Sequence, residues 1–188
     1  MKKQYDNSWI GTYTGKHFWV LDPKPEEVCI EDITHALSQI CRFAGHTEGF
    51  CSVATHCLNV ERFLEARAYS PLIRLYGLLH DAAEAYVGDM SRPMKVCCPG
   101  FKEIEDGVQK AIYKHFGLAE PTPSIIEVVK EADDYILTLE ARRFMSSTER
   151  WNLVPVDAGA ELTYTVSGGI VEAMYTVKLE DLLKVVKA

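Results

Sequence analysis

Several things are missing from this 188-residue chain, and each absence excludes something. No apolar run approaches the roughly 20 residues needed to cross a bilayer, so no membrane partner is expected. The opening Met1-Lys2-Lys3-Gln4-Tyr5-Asp6-Asn7 has two lysines but no apolar stretch behind them. A secretory signal is therefore not expected, and a cytoplasmic location is. The six cysteines, Cys29, Cys41, Cys51, Cys57, Cys97 and Cys98, show no paired CxxC spacing. They read as reduced thiols packed as small hydrophobes rather than as disulfides or metal ligands. Positive charge is also short, with 20 basic against 27 acidic residues and a net charge of −7. A nucleic-acid polymer, which needs a concentrated basic face, is not expected as a partner. A small anion remains open, because a few well-placed Arg and Lys suffice for it.

What is present is an average globular composition, 47% hydrophobic and 25% charged, in a length that suits one domain over residues 1–188. Two β-prone runs flank Thr14-Gly15-Lys16 and predict a small hairpin over 9–21. From there the patterning is helical. Ile30, Ile33, Leu37, Ile40 and Cys41 make a stripe running to about Phe43, with Gly45 as the stop. Ser52 is an N-cap before Val53, Cys57, Val60 and Leu64, and Ser70-Pro71 opens a third helix expected to run unbroken to about Gly88. A fourth is expected over 101–116. A fifth, opened by a Ser124–Glu127 capping box, is expected to end near Met145, and a last one spans 178–187. Residues 151–169, with Pro155 and Gly168-Gly169, read as loop. The fold expected is all-α, a bundle of five to six core helices with a small N-terminal hairpin.

The chemistry concentrates in the third helix. His80, Asp81 and Glu84 stand in LYGLLHDAAEAY, an otherwise apolar stretch. Burying them costs several kcal/mol unless they are paired or hold a cation, so together they point to a metal. On a continuous helix His80 and Asp81 project about 100° apart and can share one ion, with Glu84 one turn on. The zincin pattern HExxH is not met, because position 84 is glutamate. Further ligands must come from other helices: His56 in SVATHCLNV, and an acid of KEADDYILTLEARRF. There Asp133 shares a face with Lys130 and Leu137, while Asp134 is turned away and reads as a surface residue.

The order His56, His80-Asp81, Asp133 resembles the HD-domain phosphohydrolases. Further blocks carry the likeness: RFAGH at 42–46, SVATH at 52–56, HDAAEAYVGDMSRPMK at 80–95 and VKEAD at 129–133. They are similar to the branch containing bacterial 5′-deoxynucleotidases. The opening WIGTYTGKHFWVLDP and DITHALSQICRFAGH resemble its phage members, which include dATP triphosphohydrolases of phages that use 2-aminoadenine. The likeness covers roughly residues 9–146; the tail after about 150 matches nothing in the family.

This resemblance implies a divalent ion (Co, Mn, Zn or Mg) held by His56, His80, Asp81 and Asp133. It implies Glu84 and Asp89 as the acids beside the scissile phosphate, Glu84 orienting or activating water. Arg42, Lys95 and Lys130 become phosphate contacts, with Mg accompanying a triphosphate. Phe43 stands where relatives often have tryptophan, beside sugar and base. Pro93 falls in the same substrate block, and His46 lines the pocket or is a surface turn residue. The expected reaction is hydrolysis of a deoxynucleoside phosphate, dATP first, with deoxynucleoside monophosphates as the near alternative. A catalytically silent metal- or nucleotide-binding module is the alternative of another class. A homo-oligomer is implied as well.

Overall fold

A computed structural model describes residues 8–188. Two strands, β1 (Trp9–Gly11) and β2 (His17–Trp19), pair antiparallel with Ile10 opposite Phe18. They precede eight helices among the described residues: α1 (Ile30–Gln39), α2 (Val53–Ala66), α3 (Pro71–Leu79), α4 (Glu84–Val87), α5 (Arg92–Cys97), α6 (Pro99–His115), α7 (Pro123–Phe144) and α8 (Gly169–Lys187). The expected all-α architecture with a small hairpin is what forms. Lys2, Lys3 and the rest of the first seven residues, where a signal was not expected, lie outside the described residues.

The hairpin turns at Gly15, whose φ of +80° is open to glycine without strain. It is docked by Asp32 of α1, whose carboxylate accepts from the Thr14 backbone N–H at 2.7 Å and its hydroxyl at 3.0 Å. Phe18 then stacks on Tyr86 with ring centroids 3.9 Å apart.

Helix α2 is the centre of the molecule, with His56, Cys57, Val60 and Leu64 all buried. Its cap is the expected one: Ser52 Oγ accepts from Thr55 N at 3.1 Å. The chain entering it explains why α1 stops at Gln39 rather than near Phe43. Ile40 and Cys41 are extended, and residues 40–42 pair with 51–53 through Val53 N to Ile40 O at 3.0 Å and Arg42 N to Cys51 O at 2.8 Å. This short ladder draws Arg42 inward.

Against α2 lie α3 and α7. Val60, Phe63 and Leu64 pack on Ala132, Ile136 and Leu139 of α7. At about 1.5–3 kcal/mol for each large apolar side chain, that seam is strong enough to hold polar groups at its edge. The α2–α3 contact is closer. A Cβ added to Gly77 would stand 2.4 Å from Leu64 Cδ1 and 3.5 Å from Val60 Cγ1, so only glycine allows this approach.

Three further expected boundaries are corrected. The third helix does not run to Gly88 but breaks after Leu79 into a turn, with α4 as a separate short piece. Helix α7 is capped by Thr122, whose Oγ1 accepts from Ile125 N at 3.4 Å, and not by the Ser124–Glu127 box. Pro123, with its φ pre-set for the first helical position, moves the start forward. Helix α8 begins at Gly169, because Val171, Tyr175, Leu179 and Leu182 already form a buried stripe there. Before it, the irregular segment is tied to α2 by Asn59, which donates to Tyr164 O at 2.9 Å and accepts from Tyr164 N at 2.8 Å.

Candidate metal centre

His80 and Asp81 come to their positions through the break in the third helix. A helix that ends leaves carbonyls without partners, and here three side chains take them. His80 Nδ1 donates to Gly77 O at 2.8 Å, Tyr175 Oη to Leu78 O at 2.5 Å, and Gln109 Nε2 to Leu79 O at 2.8 Å. Gln109 also accepts from Ala83 N at 3.0 Å, closing the turn on its far side. His80 and Asp81 are therefore a helix terminus and a turn residue, not two positions 100° apart on one helix.

Four donor groups converge in this space. His56 Nε2 lies 3.3 Å from His80 Nε2, 3.2 Å from Asp133 Oδ1 and 3.8 Å from Asp81 Oδ2, and His80 Nε2 lies 3.2 Å from Asp81 Oδ2. The ligand atoms of His56, His80 and Asp81 all fall within 4.8 Å of one another, so this group can hold a metal ion. Behind them the rings are tied: His56 Nδ1 meets Glu140 Oε1 at 3.0 Å and His80 Nδ1 meets Gly77 O. A carboxylate and a carbonyl only accept, so each Nδ1 carries a proton. In the neutral imidazoles the two Nε2 lone pairs then face each other across 3.3 Å. That arrangement is repulsive unless a cation or a proton lies between, and it suits a divalent ion.

The charges agree. Asp81, Asp133 and Glu140 bring three carboxylates, and Arg42 brings one guanidinium, its Nε 2.9 Å from Glu140 Oε2 and its Nη1 3.6 Å from Asp81 Oδ2. Lys130, 3.2 Å from Asp133, is shared with Asp134, and with that pair included the carboxylates still exceed the cations by two, which one divalent ion or two imidazole protons would supply. Without an ion, the surroundings favour protonation of both rings. Burial opposes the charged form of His80, but the adjoining Asp81 overrides it and raises its pKa well above the usual value. His56 is raised too: burial and Arg42 lower it, while Glu140 and Asp133 more than compensate. Asp81 and Asp133 are depressed despite burial, chiefly by His80 and His56 respectively.

Glu84 differs from these. Burial, then the charges of Asp81 and Asp89, push its carboxyl up to about 9, against a weaker pull from Lys95 at 3.3 Å. Its second oxygen, Oε2, is buried without a hydrogen-bond partner. Asp89, half-buried in the loop after α4, is raised by burial as well.

A cavity of about 500 Å³ opens on His80, Asp81 and Asp133, with Arg92, Lys95, Lys102 and Lys130 around it and Tyr76, Tyr113, Ile125 and Val129 along one wall. Lys95 is held by Glu84 and by Glu105 at 2.7 Å; Lys130 is shared between Asp133 and Asp134. Asp134 thus lies on the outer face, as expected, also 3.5 Å from Arg92.

The pocket expected at Arg42 and Phe43 is not where this cavity opens. Arg42 is buried and bonded to Glu140, and half-buried Phe43 lies 5.9 Å from the Trp151 ring, in a 3-10 turn (Arg42–Gly45) at φ +56°. His46 is the exposed residue closing that turn, the second of its two expected readings, and Pro93 is exposed in the first turn of α5. Glu140, Gln109 and Tyr175 were not singled out from sequence. Glu140 had a signal: an acid seven residues after Asp133, hence on the same helical face, in an apolar stretch.

No helix is long and apolar enough to cross a membrane. No protein-family model matches the chain. It is 32% identical over 165 residues to the uncharacterized protein YfdR of Escherichia coli K12, covering 81% of this chain and 88% of that one. To the uncharacterized protein RCAP_rcc00048 of Rhodobacter capsulatus it is 39% identical over 150 residues, covering 76% of each. Identity at this level over most of both lengths means shared ancestry and a shared fold: the chain belongs to the family of YfdR and RCAP_rcc00048.

Proposed function

We propose that this protein is a metal-dependent phosphohydrolase of the HD-domain type that acts on deoxynucleoside phosphates, with dATP and water giving deoxyadenosine and triphosphate. The observation that carries the reading is the cluster His56, His80, Asp81 and Asp133, short of positive charge, beside a cation-rimmed cavity. These four residues would hold the ion, which supplies Lewis acidity and acidified water at the phosphorus.

The protein's own side chains do the rest. Lys95, Lys130, Arg92 and Lys102 are placed to neutralise a polyphosphate, lysine as point charges and arginine as a planar fork. Arg42, bonded to Glu140 through Nε alone, keeps Nη1 3.6 Å from Asp81. Glu84, protonated at neutral pH, can give its proton to the 5′ oxygen as the bond to the α-phosphorus breaks, and water oxygen becomes part of the triphosphate. The same reading makes the protein a cytoplasmic homo-oligomer and takes its substrate to be a small molecule.

The test is a screen of each dNTP and dNMP with Mg²⁺, Mn²⁺, Co²⁺ and Zn²⁺, products resolved by ion chromatography. Deoxyadenosine with intact triphosphate is expected. Orthophosphate with dADP would reverse the orientation of the substrate, and faster turnover of dAMP would make the protein a monophosphatase. Metal uptake with no turnover of any nucleotide would leave a binding module.

A further inference from the structure

We infer that Glu140 is a positioning residue that, through its two carboxylate oxygens, aligns one metal-facing histidine and the only guanidinium of the cluster. The inference rests on the metal-site reading above and concerns a residue outside the four that would touch the ion.

Glu140 is fully buried, in an apolar part of α7. A buried arginine left alone with a carboxylate usually takes both oxygens in a fork. Here Arg42 takes only Oε2, through Nε at 2.9 Å, and Oε1 faces His56 Nδ1 at 3.0 Å, with the Cys51 thiol a longer donor to it at 3.9 Å. The division of the two oxygens is what an ion-pair role alone does not explain.

The helical register gives the same answer. Asp133 and Glu140 are seven residues apart, two turns along one face of α7. The His56 ring lies between them, Nε2 at 3.2 Å from Asp133 and Nδ1 at 3.0 Å from Glu140. One rigid helix thus holds both ends of the imidazole. The ring can neither flip nor exchange tautomers without breaking a bond to buried charge. On the other side, Arg42 carries the alignment on to Asp81. Outer partners of this kind commonly change metal affinity by about 10–100-fold when removed.

The experiment is a Co²⁺ titration of full-length wild type and Glu140→Gln, followed by visible absorption and by thermal unfolding. The expected result is a Co²⁺ affinity weaker by about 10–100-fold with an altered absorption band, at temperatures where both proteins are folded. A Glu140→Gln protein that melts earlier yet binds Co²⁺ with wild-type affinity and spectrum overturns the inference and leaves the site reading intact. Wild type that takes up no Co²⁺ overturns both. Should Glu140→Gln not fold, ¹⁵N-histidine NMR of zinc-loaded wild type decides. A His56 proton on Nδ1 with the metal on Nε2 supports the role, and metal on Nδ1 removes it.

Discussion

Two clusters of charge are built on α2, five residues apart, and they are built differently. Around Glu61, which is fully buried, stand Arg74 at 2.8 Å through Nε, Lys178 at 3.3 Å, and Glu65 sharing both cations. Two carboxylates meet three cations, Arg62 pairing with Glu65 as well, so no positive charge is missing. Around His56 the carboxylates outnumber the fixed cations and the imbalance is left to protons or to an ion. The first arrangement ties α2 to α3 and α8. The second is poised to take something up. Buried charge by itself separates nothing; the residual sign does.

The sharpest way to break this contrast is substitution at both clusters. His56→Ala, His80→Ala, Asp81→Ala and Asp133→Ala should each abolish metal uptake and activity, read by elemental analysis and product release. Glu61→Ala should instead keep the metal and lose about 3 kcal/mol of stability, because mostly buried Arg74 and Lys178 are left sharing Glu65 alone. If Glu61→Ala also empties the site of metal, the two clusters are one system and the contrast falls.

Glu84 tests it next. Glu84→Gln should retain the metal and lose about 10²-fold or more in turnover. In the metal-free protein it should melt higher than wild type at pH 9, since the amide has no charge to bury. A metal-free Glu84→Gln would make Glu84 a ligand.

The pH dependence of the metal-free protein is the third measure. His56 and His80 have folded pKa values above 6.5, so their contribution is complete below 6.5 and is lost as pH rises through the folded values. Glu84 acts in the same direction, losing its contribution towards about pH 9. Asp81, Asp133 and Glu140 have depressed values, and theirs is lost as pH falls through the acid range. The melting temperature should therefore fall from pH 6.5 to 9, and Mn²⁺ or Zn²⁺ should restore it there. A flat profile in scanning fluorimetry would mean that protons do not balance the cluster. The smallest effect is expected at Asp134→Ala, within about 0.5 kcal/mol and with metal uptake unchanged.

How far these features were legible depended on distance along the chain. The hairpin, the Ser52 and Ser70 caps and the apolar stripes are local, and they formed as the pattern implied. His56, His80 and Asp81 stood out because ionisable groups are costly in apolar helices, whereas Asp133 was singled out from its neighbour Asp134 by helix face and by the family resemblance. The break after Leu79 was not legible, since HDAAEAY consists largely of residues that continue a helix. What ends it is Gln109, 30 residues away, and Tyr175, 97 residues from Leu78, each capturing a carbonyl. The Arg42–Glu140 bond spans 98 residues and moves the arginine from a pocket wall to the core for the same reason. Of residues 151–169, read as loop, those up to 168 are loop, yet Asn59 fastens them to α2 by pairing with Tyr164, a bond with no period to betray it.

The missing side chain of Gly77 has a consequence for ion size. Gly77 precedes His80 by one turn and meets it only through its carbonyl, which accepts from His80 Nδ1, yet its hydrogen faces Leu64 and Val60 where a methyl would collide. His56 stands on α2 and His80 at the end of α3, so the approach of the two helices bears on the 3.3 Å between their Nε2 atoms. Gly77→Ala would force Leu64 to turn within a filled core or the helices to part, and a parted pair of histidines favours a larger cation. For an ion held as proposed, the radius that fits would then be set in part at Gly77, outside the four residues that would touch it.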